Sequence, residues 1–164
     1  MNNSLMPPPY ADQLDGADPV LVLKSSLEDY GSLSPRLTPA VWSRPWAAGK
    51  WTVHEIVLHV AQWEMIFGVR VRCALSAPDY VVQPMEQDGL LLAEANAVDG
   101  PTALAAFDAL RRMNIALASS LSPAQRQTPC RHPQRGVISV EDLLITLAGH
   151  PVHHFKQIRE CLGA

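Results

Sequence analysis

Six histidines are spread along this 164-residue chain, and helical geometry decides which of them can meet. His150 and His154 are spaced H-x-x-x-H inside a run of residues whose apolar positions recur at three- and four-residue steps. At about 100° per residue, His154 lies roughly 40° around the helix from His150 and one turn beyond it. His154 lies inside the stripe formed by Leu143, Leu144, Leu147 and Ile158 and His150 on its edge, so two imidazoles can converge on one ion about 2 Å from each nitrogen. His153 falls about 60° to the other side, among Asp142, Thr146 and Glu160, and is set aside as a ligand. On an earlier helix, His59 sits at the margin of a stripe made by Val53, Ile56, Val60, Trp63, Phe67 and Val71. His54 points about 120° from the centre of that stripe.

His59, His150 and His154 are therefore the candidate metal ligands, and the competing reading is three buried, hydrogen-bonded core imidazoles. The segment His54-Glu55-Ile56-Val57-Leu58-His59 is one residue longer than the zinc-protease pattern H-E-x-x-H. That spacing turns its two histidines about 140° apart, so they cannot chelate one ion. Glu55 instead completes a T-x-x-E capping box with Thr52. Glu64 and Gln157 are candidates for support around an ion, although a solvated or capping role is the simpler reading for each.

These positions imply the elements that carry them. A helix is expected over about 18–30, ended by Gly31 and Pro35, and a short helical turn at Thr38-Pro39. A long helix follows from Thr52 until Pro78 stops it. Residues 79–100 form a long connection with a short helix around 86–96, and Asp99-Gly100-Pro101 starts a helix that reaches Ser120. Residues 122–136 read as a loop, and Ser139 opens the last helix, to about Leu162. With no alternating strand pattern, the fold class is all-α, a four-helix bundle with long connections. Residues 1–17 read as a mobile lead-in and 18–164 as one domain. Pro151, between the two ligands of the last helix, removes the hydrogen bond to the Leu147 carbonyl and predicts a kink.

Bulk properties narrow the function. The chain has net charge −3, 48% hydrophobic and 18% charged residues, which gives no electrostatic footprint for nucleic acid. Arg111-Arg112 and the basic residues of 131–135 read as solvated surface. No run is apolar enough for a membrane span and no signal-peptide pattern opens the chain, so a soluble, cytoplasmic protein is expected. Three cysteines without C-x-x-C spacing argue against a disulfide framework. Cys161 suits a core position, and Cys130 is an exposed loop thiol that could react. Trp42, Trp46, Trp51 and Trp63 bracket the start of the second long helix, where packing against the bundle end is favoured over a substrate pocket.

The stretch Gly49-Lys50-Trp51-Thr52-Val53-His54-Glu55, continuing through His59 to Trp63-Glu64, is followed much later by Ala148-Gly149-His150-Pro151-Val152-His153-His154-Phe155. Together they resemble the DinB-like superfamily, which includes the bacillithiol S-transferases. The resemblance implies an up-down-down-up four-helix bundle with one metal held by one histidine of the second helix and two of the last, matching His59, His150 and His154. It further implies activation of a low-molecular-weight thiol for transfer to an electrophile, or isomerisation of a small substrate, and a possible homodimer. Three imidazoles suit a divalent transition metal, zinc or nickel first, with an open position for a thiol or water. The alternatives are a metal-dependent hydrolase and a non-catalytic metal-binding or interaction bundle.

Overall fold

The computed structural model describes residues 6–163. Its four long helices are α1 (Pro19–Leu33), α3 (Val53–Ser76), α5 (Gly100–Ser120) and α7 (Val140–Leu162), with a short α2 (Pro39–Trp42) and α4 (Gln87–Glu94) in the connections. Each long helix starts where its sequence supplies a cap. The side chains of Asp18 and Asp99 accept the amides of Val20 and Thr102, both at 2.8 Å. Thr52–Glu55 and Ser139–Asp142 form reciprocal capping boxes that satisfy two orphan donors apiece. At the other end of α7, Gly163 takes the left-handed conformation (φ 68°) that closes a helix without steric cost.

Contacts between the helices fix their directions. His54, Glu64 and Gly68 of α3 meet Val98, Arg111 and Asn114 in ascending order, so α3 and α5 run parallel. Asp18 and Glu141 share Arg126, while Tyr30 reaches Pro151 and Phe155, so α1 and α7 are also parallel. Ser26 and Tyr30 pair with Arg111 and Phe107, which sets α1 against α5. The result is the up-down-down-up bundle, with the long 77–99 connection carrying the chain between the two parallel inner neighbours.

A polar layer separates two apolar clusters, one around Leu23, Phe67, Val71, Leu143 and Leu144, the other around Tyr30, Val57, Val60, Phe107 and Ile158. At its centre is Arg111, 0% exposed, against the expectation of a solvated Arg111-Arg112 pair. Arg112 is indeed exposed and pairs with Asp108. Arg111 falls on the Phe107, Asn114 and Ala118 face of α5, which is buried. Its guanidinium donates to Glu64 Oε1 of α3 at 2.5 Å and to Ser26 Oγ of α1 at 3.1 Å. It also stands 3.5 Å from the Leu147 carbonyl of α7. Glu64 is thus a buried ion-pair partner rather than a solvated group, and Asn114 Nδ2 donates to its other oxygen at 3.0 Å.

The Leu147 carbonyl is the acceptor that Pro151 leaves without an amide donor. Arg111 supplies a charged N–H toward it, and the Tyr30 hydroxyl donates to the Pro151 carbonyl at 3.0 Å. α7 runs as one element from Val140 to Leu162 with Pro151 inside it.

The expected 122–136 loop is more structured than its composition suggested. Ser122 caps a short α6 (Pro123–Arg126), and β1 (Pro129–His132) pairs antiparallel with β2 (Gly136–Ser139) in a small hairpin. Cys130, read as an exposed loop thiol, is buried on β1, and desolvation pushes its thiol up to about 11, which removes it as a nucleophile. The segment expected as a mobile lead-in contains local structure. Ala11–Leu14 form a 3-10 turn on α7, seated over Gly149, where any Cβ would run into the Tyr10 backbone carbonyl. Residues 1–5 of that segment lie outside the described residues. Among the described residues no helix is long and apolar enough to cross a membrane.

Arg111→Met should cost about 3–5 kcal/mol in denaturant unfolding, because Glu64 is left buried without its cation. In a Pro151→Ala background the restored amide takes the Leu147 carbonyl, and the same substitution should cost about 1 kcal/mol less.

Candidate metal centre

The Thr52–Glu55 box sets the start of α3, and His59 follows in its second turn facing α7. Because α3 and α7 are antiparallel, His59 meets the middle of α7, where His150 and His154 project one turn apart. His59 Nε2 lies 3.0 Å from His150 Nε2, which is also 3.0 Å from His154 Nε2. All three ligand atoms fall within 4.8 Å of one another, and all three residues are buried. Two nitrogens bound tetrahedrally about 2 Å from one ion stand roughly 3.3 Å apart, so the spacing suits a shared ion. The structure thus brings together the three histidines selected by face. His54 is held elsewhere by the Val98 carbonyl at 2.8 Å, and His153 packs on Tyr10 outside the cluster.

The hydrogen bonds around the rings differ in kind. His154 Nδ1 donates to Gln157 Oε1 at 2.7 Å, which leaves its Nε2 lone pair directed at the cluster. Gln157 is therefore a supporting residue, not a solvated one. Trp63 Nε1 can only donate, and it does so to His59 Nδ1 at 3.0 Å. The proton of neutral His59 then sits on Nε2, between His59 and His150, and holding an ion through that nitrogen would require the Nδ1–H tautomer, with the bond from Trp63 given up. Trp51 stacks beside His59 and His154, with ring centroids 4.8 and 6.4 Å away. Trp51 and Trp63 thus wall the triad, while Trp42 and Trp46 pack against the core at the bundle end. The positions of Trp63 and Gln157, four residues after His59 and three after His154, were a readable signal for both contacts.

Desolvation keeps the imidazoles neutral. It lowers His59 to about 3, helped by the charge of a protonated His154, and it lowers His154 to about 4 against the opposing bond from Gln157. His150 is driven well below the ordinary histidine range by burial first, then by His154, His59 and Arg111. Three neutral nitrogens are the form that a divalent transition metal requires, and their donor set fits zinc, nickel and their neighbours.

A model of the DinB superfamily matches residues 25–158, and the chain belongs to that superfamily. A protein of Oceanobacillus iheyensis named "Putative metal-dependent hydrolase OB0782" is 28% identical over 112 residues, 68% of this chain and 64% of that protein. A Bacillus mycoides protein of the same description is 25% identical over 114 residues, 70% of this chain and 66% of its own length. The matched region thus spans slightly less than two thirds of each of these two relatives. The solved structure of YfiT from Bacillus subtilis, a four-helix bundle of unusual topology, superposes with a TM-score of 0.79 at 23% identity. The superposition covers 87% of this chain and 83% of that one. It shows that the fold is shared.

Each histidine's folded-state pKa lies below its unfolded value near 6.5, so the neutral imidazoles contribute fully above that pH and lose their contribution as pH falls toward 3–4. Metal-free protein should therefore lose thermal stability between pH 6.5 and 4, with a slope approaching about 1.4 kcal/mol per pH unit for each histidine that titrates. His154→Gln should flatten that slope, measured by melting temperature across the same range.

Proposed function

We propose that the chain is a metal-dependent enzyme in which His59, His150 and His154 hold one divalent transition metal, zinc or nickel, and that it transfers a low-molecular-weight thiol to an electrophile. The observation that carries this reading is the convergence of three neutral Nε2 atoms from two antiparallel helices within 4.8 Å. His59, His150 and His154 would hold the ion, which when bound would favour the ionised form of a thiol or water beside it.

The surrounding residues favour the thiol. Hydrolysis at such a site draws on a carboxylate as general base, as in H-E-x-x-H enzymes. Both carboxylates of α3 near His59 are engaged: Glu55 in its capping box, and Glu64 with Arg111 and Asn114. A thiol ionised by the metal needs no such base to become a nucleophile. Trp51 and Trp63 shield the triad from bulk water, which strengthens the ion's effect on whatever it holds. Hydrolysis is the second reading, and the names of the relatives favour it.

Metal content of untagged protein, followed by paired panels of thiols with alkylating electrophiles and of activated esters and amides, separates the two. Thiol conjugation that exceeds the uncatalysed rate only in loaded protein supports transfer, and ester cleavage without thiol dependence supports hydrolysis. His59→Ala should lose stoichiometric metal, and retention of full metal content in that variant would refute the centre. Gln157→Leu should keep the stoichiometry while weakening metal affinity roughly 10–100-fold, read by competition with a chelator.

A further inference from the structure

Beside the triad, on the His150 side, lies a cavity of about 170 Å³ lined in part by Tyr10, Trp63, Phe67, Arg70, His132 and His150. Its walls are aromatic, and its charge comes from Arg70. Arg70 as a whole is only 6% exposed, and its guanidinium lies over the Phe67 and Trp63 rings, 4.8 and 5.6 Å from their centroids. One of its nitrogens, Nη2, donates to the Gln83 carbonyl at 2.7 Å. No carboxylate pairs with it among the described residues.

A second cation, Arg135, stands behind His132 and does not itself line the cavity. Arg135 acts with Arg70 on both His132 and Cys130, and its Nε and Nη2 are buried without an acceptor among the described residues. Asp142, the carboxylate that bears on Cys130, accepts the Ser139 amide and hydroxyl at 2.7 and 2.8 Å within its capping box. A desolvated guanidinium without a counter-ion is costly, and a concave, largely aromatic pocket that contains one is built for an anion arriving from outside.

Helical register gives the pocket its direction. Arg70 follows His59 by eleven residues, three turns of α3, so the two lie about 20° apart around the helix and roughly 16 Å apart along it. Trp63 and Phe67 occupy the interval, and both line the cavity together with Arg70 and His150. We propose that this cavity holds a small, flat organic acid whose carboxylate is anchored by Arg70 and whose body lies against Trp63, Phe67 and Tyr10, leaving its far end at the triad. The last clause rests on the triad being a metal centre, whereas the anchoring of the carboxylate does not.

Benzoate and its neutral isostere benzamide are the probes. Calorimetric titration of the full chain, metal-free and cobalt-loaded, should show benzoate binding roughly tenfold tighter than benzamide in both forms. Arg70→Gln should abolish that preference and Arg70→Lys should retain part of it. Equal affinities of benzoate and benzamide for the unmodified chain overturn the proposal whether or not either variant folds. A preference confined to the cobalt-loaded form also overturns it, since the carboxylate would then be a metal ligand. Inorganic phosphate that displaces benzoate at concentrations below the benzoate dissociation constant overturns the assignment to a flat acid. In the cobalt-loaded form, 4-mercaptobenzoate, whose thiol lies opposite its carboxylate, should shift the visible absorption while benzoate does not; a shift by benzoate itself overturns the orientation. If cobalt does not load, the metal-centre reading fails, while the preference in metal-free protein still decides the pocket.

Discussion

One buried guanidinium holds the four long helices in register. Arg111 comes from α5, donates to Glu64 of α3 and Ser26 of α1, and lies beside the Leu147 carbonyl of α7. Apolar packing alone is tolerant of small slides, because leucine against leucine is favourable at many offsets. A charge that must be hydrogen-bonded is not tolerant, since a shift of one residue leaves Glu64 or Arg111 desolvated and alone. The two apolar clusters above and below this layer supply most of the driving force, and the layer makes one alignment the favoured one.

The histidine triad depends on that alignment. His59 belongs to α3, and its partners belong to α7, so their meeting point is set by the relative height of two helices that Arg111 ties together. Pro151 would be expected to disturb this arrangement, standing as it does between His150 and His154. The carbonyl that it deprives of an amide donor, that of Leu147, faces the buried guanidinium of Arg111 on α5 instead. The proline thus converts a local hydrogen bond within α7 into contacts between helices.

Much of this was legible in the sequence. Capping residues announced the starts of the long helices, and angular sorting separated His59, His150 and His154 from His54 and His153. Pairwise facts were not legible. Arg111 and Arg112 are adjacent and chemically identical, and only the 107, 111, 114, 118 spacing, read against a partner carboxylate on another helix, marks one as buried. Glu64 looked solvated for the same reason. The hairpin at 129–139 was missed because its strands are four residues long, too short for an alternating pattern to emerge. Cys130 was misplaced with it. The turn at Ala11–Leu14 has no periodicity of its own and is held by its seat on Gly149, far away in sequence.

The wide separation of the three histidines along the chain has a consequence for what the cluster reports. His59 stands on α3 and His150 and His154 on α7, so no local segment brings the three nitrogens together. A state that keeps its helices but loses the packing between them keeps each histidine on its proper helical face and still has no cluster. The triad is thus a readout of tertiary docking, not of helix content.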